Sequence, residues 1–281
     1  MVKHFTAMWK RAFRLHHPSE SLRILPDDVF LVSYPKSGNT WTRFLIANLL
    51  HPDREVGFGN LRELVPDPGS TKQREFDRLP RPRVIKSHRS YRPQYPRVIY
   101  IVRDPRDVAI SQYHYQRKIG RISDDHTLEQ FITDFVAGRS CRHLGSWAEN
   151  VVSWVSTRNG NPGFLLLRYE DLMADTAHEL ARVASFLNIS ADATRLSRAI
   201  ERSSKDKMRE SEKAQGHLCT LTNSRPDLPF VRAAKTGQWK SDLPGPCVQQ
   251  IQAAWGHVMT WLGYEVVAND DAGLLSRFAP V

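Results

Sequence analysis

The chain has 281 residues, 41% hydrophobic and 25% charged, with a formal charge of +10 at pH 7. Three scattered cysteines, Cys141, Cys219 and Cys247, form no C-x-x-C pair, which argues against a disulfide framework and against a zinc site and favours a reducing, cytoplasmic setting. No apolar run approaches the ~20 residues of a membrane span, so the expectation is one large globular domain whose basic surplus favours an acidic ligand, nucleic acid or an anionic membrane surface.

Residues 1–24 form a basic, aromatic preface in which Phe5, Met8, Trp9, Ala12 and Phe13 share a helical stripe between Lys3, Lys10, Arg11 and Arg14. A terminal helix packed on its own domain is the favoured reading. A helix giving peripheral membrane contact is the alternative. The preface has no apolar core of signal-peptide type. Residues 25–267 read as a single domain and residues 268–281 as a loose tail.

Val29 to Tyr34 is a short apolar run without helical period, expected as a buried strand. Pro35 and Gly38 break it. After Thr40 the apolar spacing becomes helical through Trp41, Phe44, Leu45 and Leu49. A loop leading into a helix N-terminus presents unpaired N–H groups and the positive end of the helix dipole, which makes an anion site. Lys36 adds a positive charge there, and Ser37 and Thr40 add hydroxyl donors. The order G-x-x-x-x-G-K-[ST] of nucleoside-triphosphate loops is missing, because Lys36 precedes the glycine.

Residues 51–82 are rich in Pro, Asp, Arg and Gly and read as a long connection with one helical turn around Leu61 to Leu64, either lining a substrate entrance or making a plain surface excursion. Val84 to His88 reads as a strand ending in a polar turn, which in a parallel sheet puts His88 at the site-bearing end. Val98 to Val102 is a further buried strand; Asp104 as N-cap and Pro105 as first helical residue then start a helix running to about Lys118. Arg103 stands at the strand end and Ser111 on the second turn of the helix. Arginine's planar fork suits a phosphate, while an ion pair to Asp107 is the structural alternative. A helical pattern extends from Leu128 to Arg158. Phe164 to Arg168 is another strand, and a helix is expected from Tyr169 through Leu187. A helix follows over Asp192 to Glu201, with Ser203 as the next N-cap, then a loop over 214–230 and a last helix over Gln249 to Leu262. Repeated strand–helix units give an α/β fold with a central, mainly parallel sheet flanked by helices.

Tyr34-Pro35-Lys36-Ser37-Gly38-Asn39-Thr40-Trp41 resembles the 5′-phosphosulfate loop of the sulfotransferases that use PAPS, 3′-phosphoadenosine-5′-phosphosulfate. Lys86-Ser87-His88 resembles that family's K-[ST]-H element. Arg103 to Ser111 is similar to its 3′-phosphate motif R-[DN]-P-[RK]-D-x-x-x-S, and Tyr169-Glu170-Asp171 to its Y-E-D element. Val231 to Lys240 resembles a late segment R-[KR]-G-x-x-G-x-W-[KR], with Arg232, Gly237, Trp239 and Lys240 matching. There, Ala233 replaces a common basic residue and Ala234 a common glycine, which implies weaker or differently shaped 3′-phosphate contacts.

The resemblance implies a P-loop-kinase-like fold and transfer of SO₃ from PAPS to a hydroxyl, less often an amine, with no metal. His88 would be the general base. Lys36 would steady the departing phosphate oxygen, with Ser37 positioning it. Gly38, Asn39 and Thr40 would hold the 5′-phosphate, and Trp41 would stack on the adenine or wall its pocket. Arg103, Ser111, Arg232, Ala233 and Ala234 would surround the 3′-phosphate, and Tyr169 and Ser203 the adenine. The acceptor is a small molecule, glycan or lipid, not nucleic acid. Its pocket is expected from residues 51–82, 119–146 and 214–230, and the arginines of 54–83 point to a polar or acidic one. The family's cytosolic animal branch carries a dimer motif, K-x-x-x-T-V-x-x-x-E, that is absent after Lys240. An ATP-dependent kinase on the same scaffold and a non-catalytic basic binding protein are the alternatives.

Overall fold

The apolar runs pair into one parallel sheet. In the computed structural model, which describes residues 22–215, 224–232 and 234–267, the strands are β1 (Val29–Ser33), β2 (Val84–Ser87), β3 (Arg97–Val102) and β4 (Phe164–Arg168), in the order β2-β1-β3-β4. Val32 lies opposite Ser87 on one side and Tyr100 on the other, and Val102 lies opposite Arg168. The first strand closes at Ser33, one residue before the expected end. The stripe of residues 1–21, Cys219, Ala233 and the tail 268–281 lie outside the described residues.

Side chains alternate along a strand, so the sheet has two faces, and both are buried. Phe30, Val32, Val98, Tyr100 and Val102 belong to one core. Val29, Leu31, Ile99, Ile101 and Leu167 belong to the other. A strand with no face in water reads as an unbroken apolar run, which is the pattern of these segments.

Twelve α-helices are described: α1 (Asn39–Leu50), α2 (Leu61–Leu64), α3 (Gln73–Phe76), α4 (Pro105–Lys118), α5 (Leu128–Val136), α6 (Trp147–Arg158), α7 (Tyr169–Ala174), α8 (Thr176–Phe186), α9 (Ala193–Arg202), α10 (Lys205–Gln215), α11 (Trp239–Asp242) and α12 (Gly245–Trp261). Helices α1, α8 and α9 supply Phe44, Leu45, Leu180, Val183 and Ala199 to one face. Helices α4, α5, α6 and α12 supply Val108, Phe131, Trp147 and Trp255 to the other. The result is three layers, helix–sheet–helix.

Several expected boundaries are corrected. The helical pattern of 128–158 is two helices: Gly138 and Gly145 adopt φ of 70° and 72°, and Ser146 starts a new helix through a reciprocal capping box with Glu149. The helix expected from Tyr169 to Leu187 breaks at Asp175, whose carboxylate accepts the His178 N–H at 2.9 Å. Ser203 closes α9 and does not cap α10; the Lys207 N–H instead donates to the Ser204 hydroxyl at 3.4 Å. The long connection holds a second turn, α3, and the last helix starts four residues early, at Gly245.

Candidate active site

The chain runs from β1 to β2 on one side and then to β3 and β4 on the other, which opens a crevice at the carboxyl ends of the strands. Lys36 follows the end of β1 by three residues. His88, Arg103 and Tyr169 each come directly after β2, β3 and β4. All four line one cavity of about 670 Å³. Gly38, Asn39, Thr40, Trp41, Ser111, Ser203, Arg232 and Ala234 line it too. Ser37 lies fully buried, and Ala233 is outside the described residues.

The loop after β1 turns twice through the left-handed region, at Lys36 (φ 70°) and Gly38 (φ 100°). Gly38 is the N-cap of α1 and gives no side-chain cap, so the first-turn N–H groups are left for a ligand. Asn39 ties the helix start to the sheet, its Nδ2 donating to the Ser33 hydroxyl at 3.2 Å and the Leu31 carbonyl at 3.4 Å. The Lys36 Nζ lies 4.4 Å from the Tyr115 ring centre and 4.6 Å from that of Phe230. Burial, reinforced by the charges of Arg103 and Arg232, pulls its pKa down to about 7.

Arg103 binds two distant segments together. It donates to the Lys36 carbonyl at 3.2 Å and the Lys235 carbonyl at 2.9 Å, and its guanidinium lies 4.3 Å from the Tyr169 ring centre. The alternative reading, an ion pair to Asp107, also holds at 3.7 Å. The Asp107 carboxylate additionally accepts the N–H groups of Gly237 (2.8 Å) and Trp239 (3.0 Å), fixing the late segment over the cavity. In that segment Arg232 donates to Gln238 at 3.2 Å, and Ala234 takes a left-handed φ of 50°.

Trp41 packs edge-on against Tyr169 at 5.9 Å and donates its indole N–H to the Ser203 carbonyl at 3.1 Å. The Ser203 hydroxyl accepts from Asn48 Nδ2 at 3.0 Å, so it is held between α1 and α9.

The Nδ1 of His88 stands 2.7 Å from the Ser33 carbonyl oxygen. A carbonyl only accepts, so Nδ1 carries the proton and Nε2 holds the free lone pair. Burial, with the nearby Lys86 charge, pulls the His88 pKa down to about 3, so the imidazole is neutral. Lys86 is itself paired with Asp67 at 2.5 Å, and both line the cavity. Asn150 donates to the His88 carbonyl at 3.2 Å.

Two features suit the cavity to an anion. The Nε–H of Arg103, a lining residue, is buried without a partner among the described residues, as is the hydroxyl of Ser37 in the loop behind the wall. Orphaned buried donors are costly unless an acceptor meets them. The lining also has eight cations (Lys36, Arg43, Arg62, Lys86, Arg103, Arg121, Lys205 and Arg232) against three carboxylates (Asp67, Glu201 and Glu212). Among the described residues no group of three or more His, Cys, Asp or Glu could hold a metal, and no helix is long and apolar enough to cross a membrane.

Asp67, Arg121, His143 and Phe230 line the cavity from within the three segments expected to wall it, whereas sequence reasoning gave Lys86 and Tyr115 no role as wall residues. Tyr115 was within reach of such reasoning: one turn after Ser111, it shares that residue's helix face. Asp67 and Phe230 come from irregular segments without a periodic signal.

A family model described as "Sulfotransferase domain" matches residues 26–263. Sulfotransferase 1B1 of Mus musculus is 28% identical over 277 residues, covering 92% of this chain and 89% of its own. Sulfotransferase 1A1 of Bos taurus is 29% identical over 241 residues, 80% of each. Cytosolic sulfotransferase 1 of Danio rerio is 26% identical over 269 residues, 86% of this chain and 83% of its own. Among solved structures, mouse sulfotransferase SULT7A1 complexed with PAP superposes with a TM-score of 0.69 at 26% identity, covering 93% of this chain and 92% of that one. Retinol dehydratase in complex with androsterone and inactive cofactor PAP shares the fold, with a TM-score of 0.67 at 19% identity, covering 89% of this chain and 84% of that one.

Proposed function

The chain belongs to the sulfotransferase family, and on that premise we propose that it is a cytoplasmic enzyme moving the sulfuryl group of PAPS to a hydroxyl, less readily an amine, of a small-molecule, glycan or lipid acceptor. The observation that carries this reading is the placement of Lys36, His88, Arg103 and Tyr169, one at each strand end, on one cation-rich cavity. The orphaned donors of Ser37 and Arg103 fit the anionic oxygens of such a donor. The PAP held by the mouse relative points to the same cofactor.

When bound, PAPS supplies an electrophilic sulfur and a phosphate leaving group, chemistry that parallels in-line phosphoryl transfer. His88 accepts the acceptor's hydroxyl proton on Nε2 as the new O–S bond forms and the old one breaks. Its Nδ1–H stays on the Ser33 carbonyl, which fixes the ring and the tautomer. Negative charge arriving beside the imidazole opposes the effect of burial and raises its basicity. The same charge restores the proton of Lys36, whose ammonium then meets the charge on the departing oxygen. Gly38, Asn39 and Thr40 would hold the 5′-phosphate, Arg103, Ser111 and Arg232 with the Ala234 backbone would hold the 3′-phosphate, and Trp41, Tyr169 and Ser203 would bound the adenine.

Thermal unfolding with PAP, ADP or ATP–magnesium tests the reading. A ligand at ~100 times its dissociation constant adds about 2.7 kcal/mol, which raises the midpoint by roughly 2–4 °C in a chain of this size. A shift with PAP alone supports it. A shift with ATP–magnesium alone replaces it with a kinase, and no shift with any of the three sinks it.

A further inference from the structure

We infer that the acceptor is a hydroxyl compound bearing its own anionic group, a carboxylate, phosphate or sulfate ester, and that Arg62 and Arg121 receive that group. The inference rests on the sulfotransfer reading above and deepens it by naming the acceptor class.

The cavity carries more positive charge than the donor uses. Beyond the cations assigned to the donor, the cavity wall carries Arg43, Arg62, Lys86, Arg121 and Lys205, the last of them two residues past Ser203 at the adenine end. Arg43 is spent on the carbonyls of Leu61 (3.2 Å) and Val65 (2.6 Å). Lys86 is spent on Asp67 at 2.5 Å. The Glu212 carboxylate, the acid nearest the 230–232 segment, is capped by the N–H groups of Phe230 (2.5 Å) and Val231 (2.8 Å). Asp67 and Glu212 are therefore committed. Arg62 and Arg121 are exposed, line the cavity, and have no carboxylate partner among the described residues.

The two come from separate walls, one leading to the proposed base and the other to Lys36. Arg62 is on α2, whose following segment is zipped to β2 by the Lys86 N–H on the Pro66 carbonyl at 2.8 Å, two residues before His88. Arg121 follows the end of α4, close enough for its charge to act on Tyr115 and Cys141, and Tyr115 faces Lys36. A neutral, apolar acceptor would gain nothing from these arginines and would have to sit against the Lys86–Asp67 pair, stripping its water. An acceptor with an anionic group gains charge-assisted, bidentate hydrogen bonds from the guanidinium forks.

The test is equilibrium binding to the PAP-saturated protein of compound pairs that differ only in charge: methyl glucuronoside against methyl glucoside, and 4-hydroxybenzoate against its methyl ester. In each pair the anion is expected to bind about tenfold or more tightly, the size of one charge-assisted hydrogen bond. The advantage is expected to shrink in high salt, and R62E/R121E is expected to invert it. Equal binding, binding by neither member, or a preference that survives R62E/R121E overturns the inference. The PAP-induced midpoint shift in the same samples separates the two readings. With the shift present and no anion preference, this inference alone fails; with no shift, the sulfotransfer reading fails first.

Discussion

A Cβ placed on Gly38 would lie 2.4 Å from Cδ2 of Tyr169. The ring has little room to retreat, since it stacks on Arg103 on one side and meets Trp41 on the other. Gly38→Ala therefore combines a left-handed backbone with a steric collision. It should cost roughly 2–4 kcal/mol in denaturant unfolding, together with most of the PAP-induced midpoint shift. Parental stability in that variant would show that the ring yields freely.

His88→Ala should lower turnover by roughly 10²–10⁴ while leaving PAP affinity within a few-fold. Full activity would remove His88 from the role of base. Its pKa also makes a stability prediction. The folded imidazole stays neutral down to about pH 3, whereas the unfolded one gains a proton below ~6.5. Stability carried by His88 is thus present above the unfolded pKa and lost as pH falls through that window. Urea midpoints between pH 7 and 5 should fall less steeply in the alanine variant.

Lys36 titrates in the same sense, over a higher pH range. Its pKa near 7 in the free protein lies below the ~10.4 of an unfolded lysine, so this residue adds stability as pH rises between those values. An anionic ligand restores the ammonium. PAP binding at pH 8 should therefore take up protons, visible as a dependence of calorimetric heat on the buffer's ionisation enthalpy. That uptake should vanish in Lys36→Met; heats identical across buffers in the parent would contradict the assignment.

Ala234 keeps a left-handed φ of 50° where only glycine is comfortable. Ala234→Gly should relieve that strain and raise stability by about 0.5–1 kcal/mol after the entropy of the freer unfolded chain is counted. PAP affinity should hold or improve. A lower midpoint would mean that the alanine methyl contributes packing that outweighs the strain.

Arg83 and Asp28 form a buried bidentate pair, at 2.7 and 2.6 Å, just before β2 and β1 begin. Removing either partner strands a buried charge and should cost about 3–5 kcal/mol. The pair lies at the amino ends of the strands, away from the cavity. Asp28→Ala should therefore lower the unfolding midpoint with PAP affinity unchanged, measured by calorimetry below the transition. A parallel loss of affinity would show that the two ends of the sheet are coupled.

The strand–loop–helix units were legible because their strands are buried on both faces and so read as unbroken apolar runs, and because Asp104-Pro105 is a plain helix start. The strand-end positions of Lys36, His88, Arg103 and Tyr169 followed from that pattern. The breaks inside 128–158 and 169–187 were not legible, because the halves on either side of Gly138–Gly145 and of Asp175 keep apolar faces toward the sheet. Ala234 is a subtler case. The missing glycine was visible in the sequence, but only the coordinates show that the backbone kept glycine's conformation. The segments that hold Asp67 and Phe230 were expected at the pocket, but which of their residues reach it depends on contacts between distant segments, which no local pattern encodes.

The residues at the strand ends and the residues that form the outer walls are different kinds of material. Lys36, His88, Arg103 and Tyr169 are anchored at the ends of a sheet with both faces covered, so their backbone positions cannot shift without moving the core. Arg62, Asp67, Arg121 and Phe230 belong to short or irregular pieces of chain that tolerate insertion and exchange. Over a lineage, the donor half would thus change slowly while taste in acceptors drifts quickly. Relatives at this distance would share a cofactor far more often than a substrate, and grafting residues 58–70 with 119–144 from one to another would move the preference without rebuilding the enzyme.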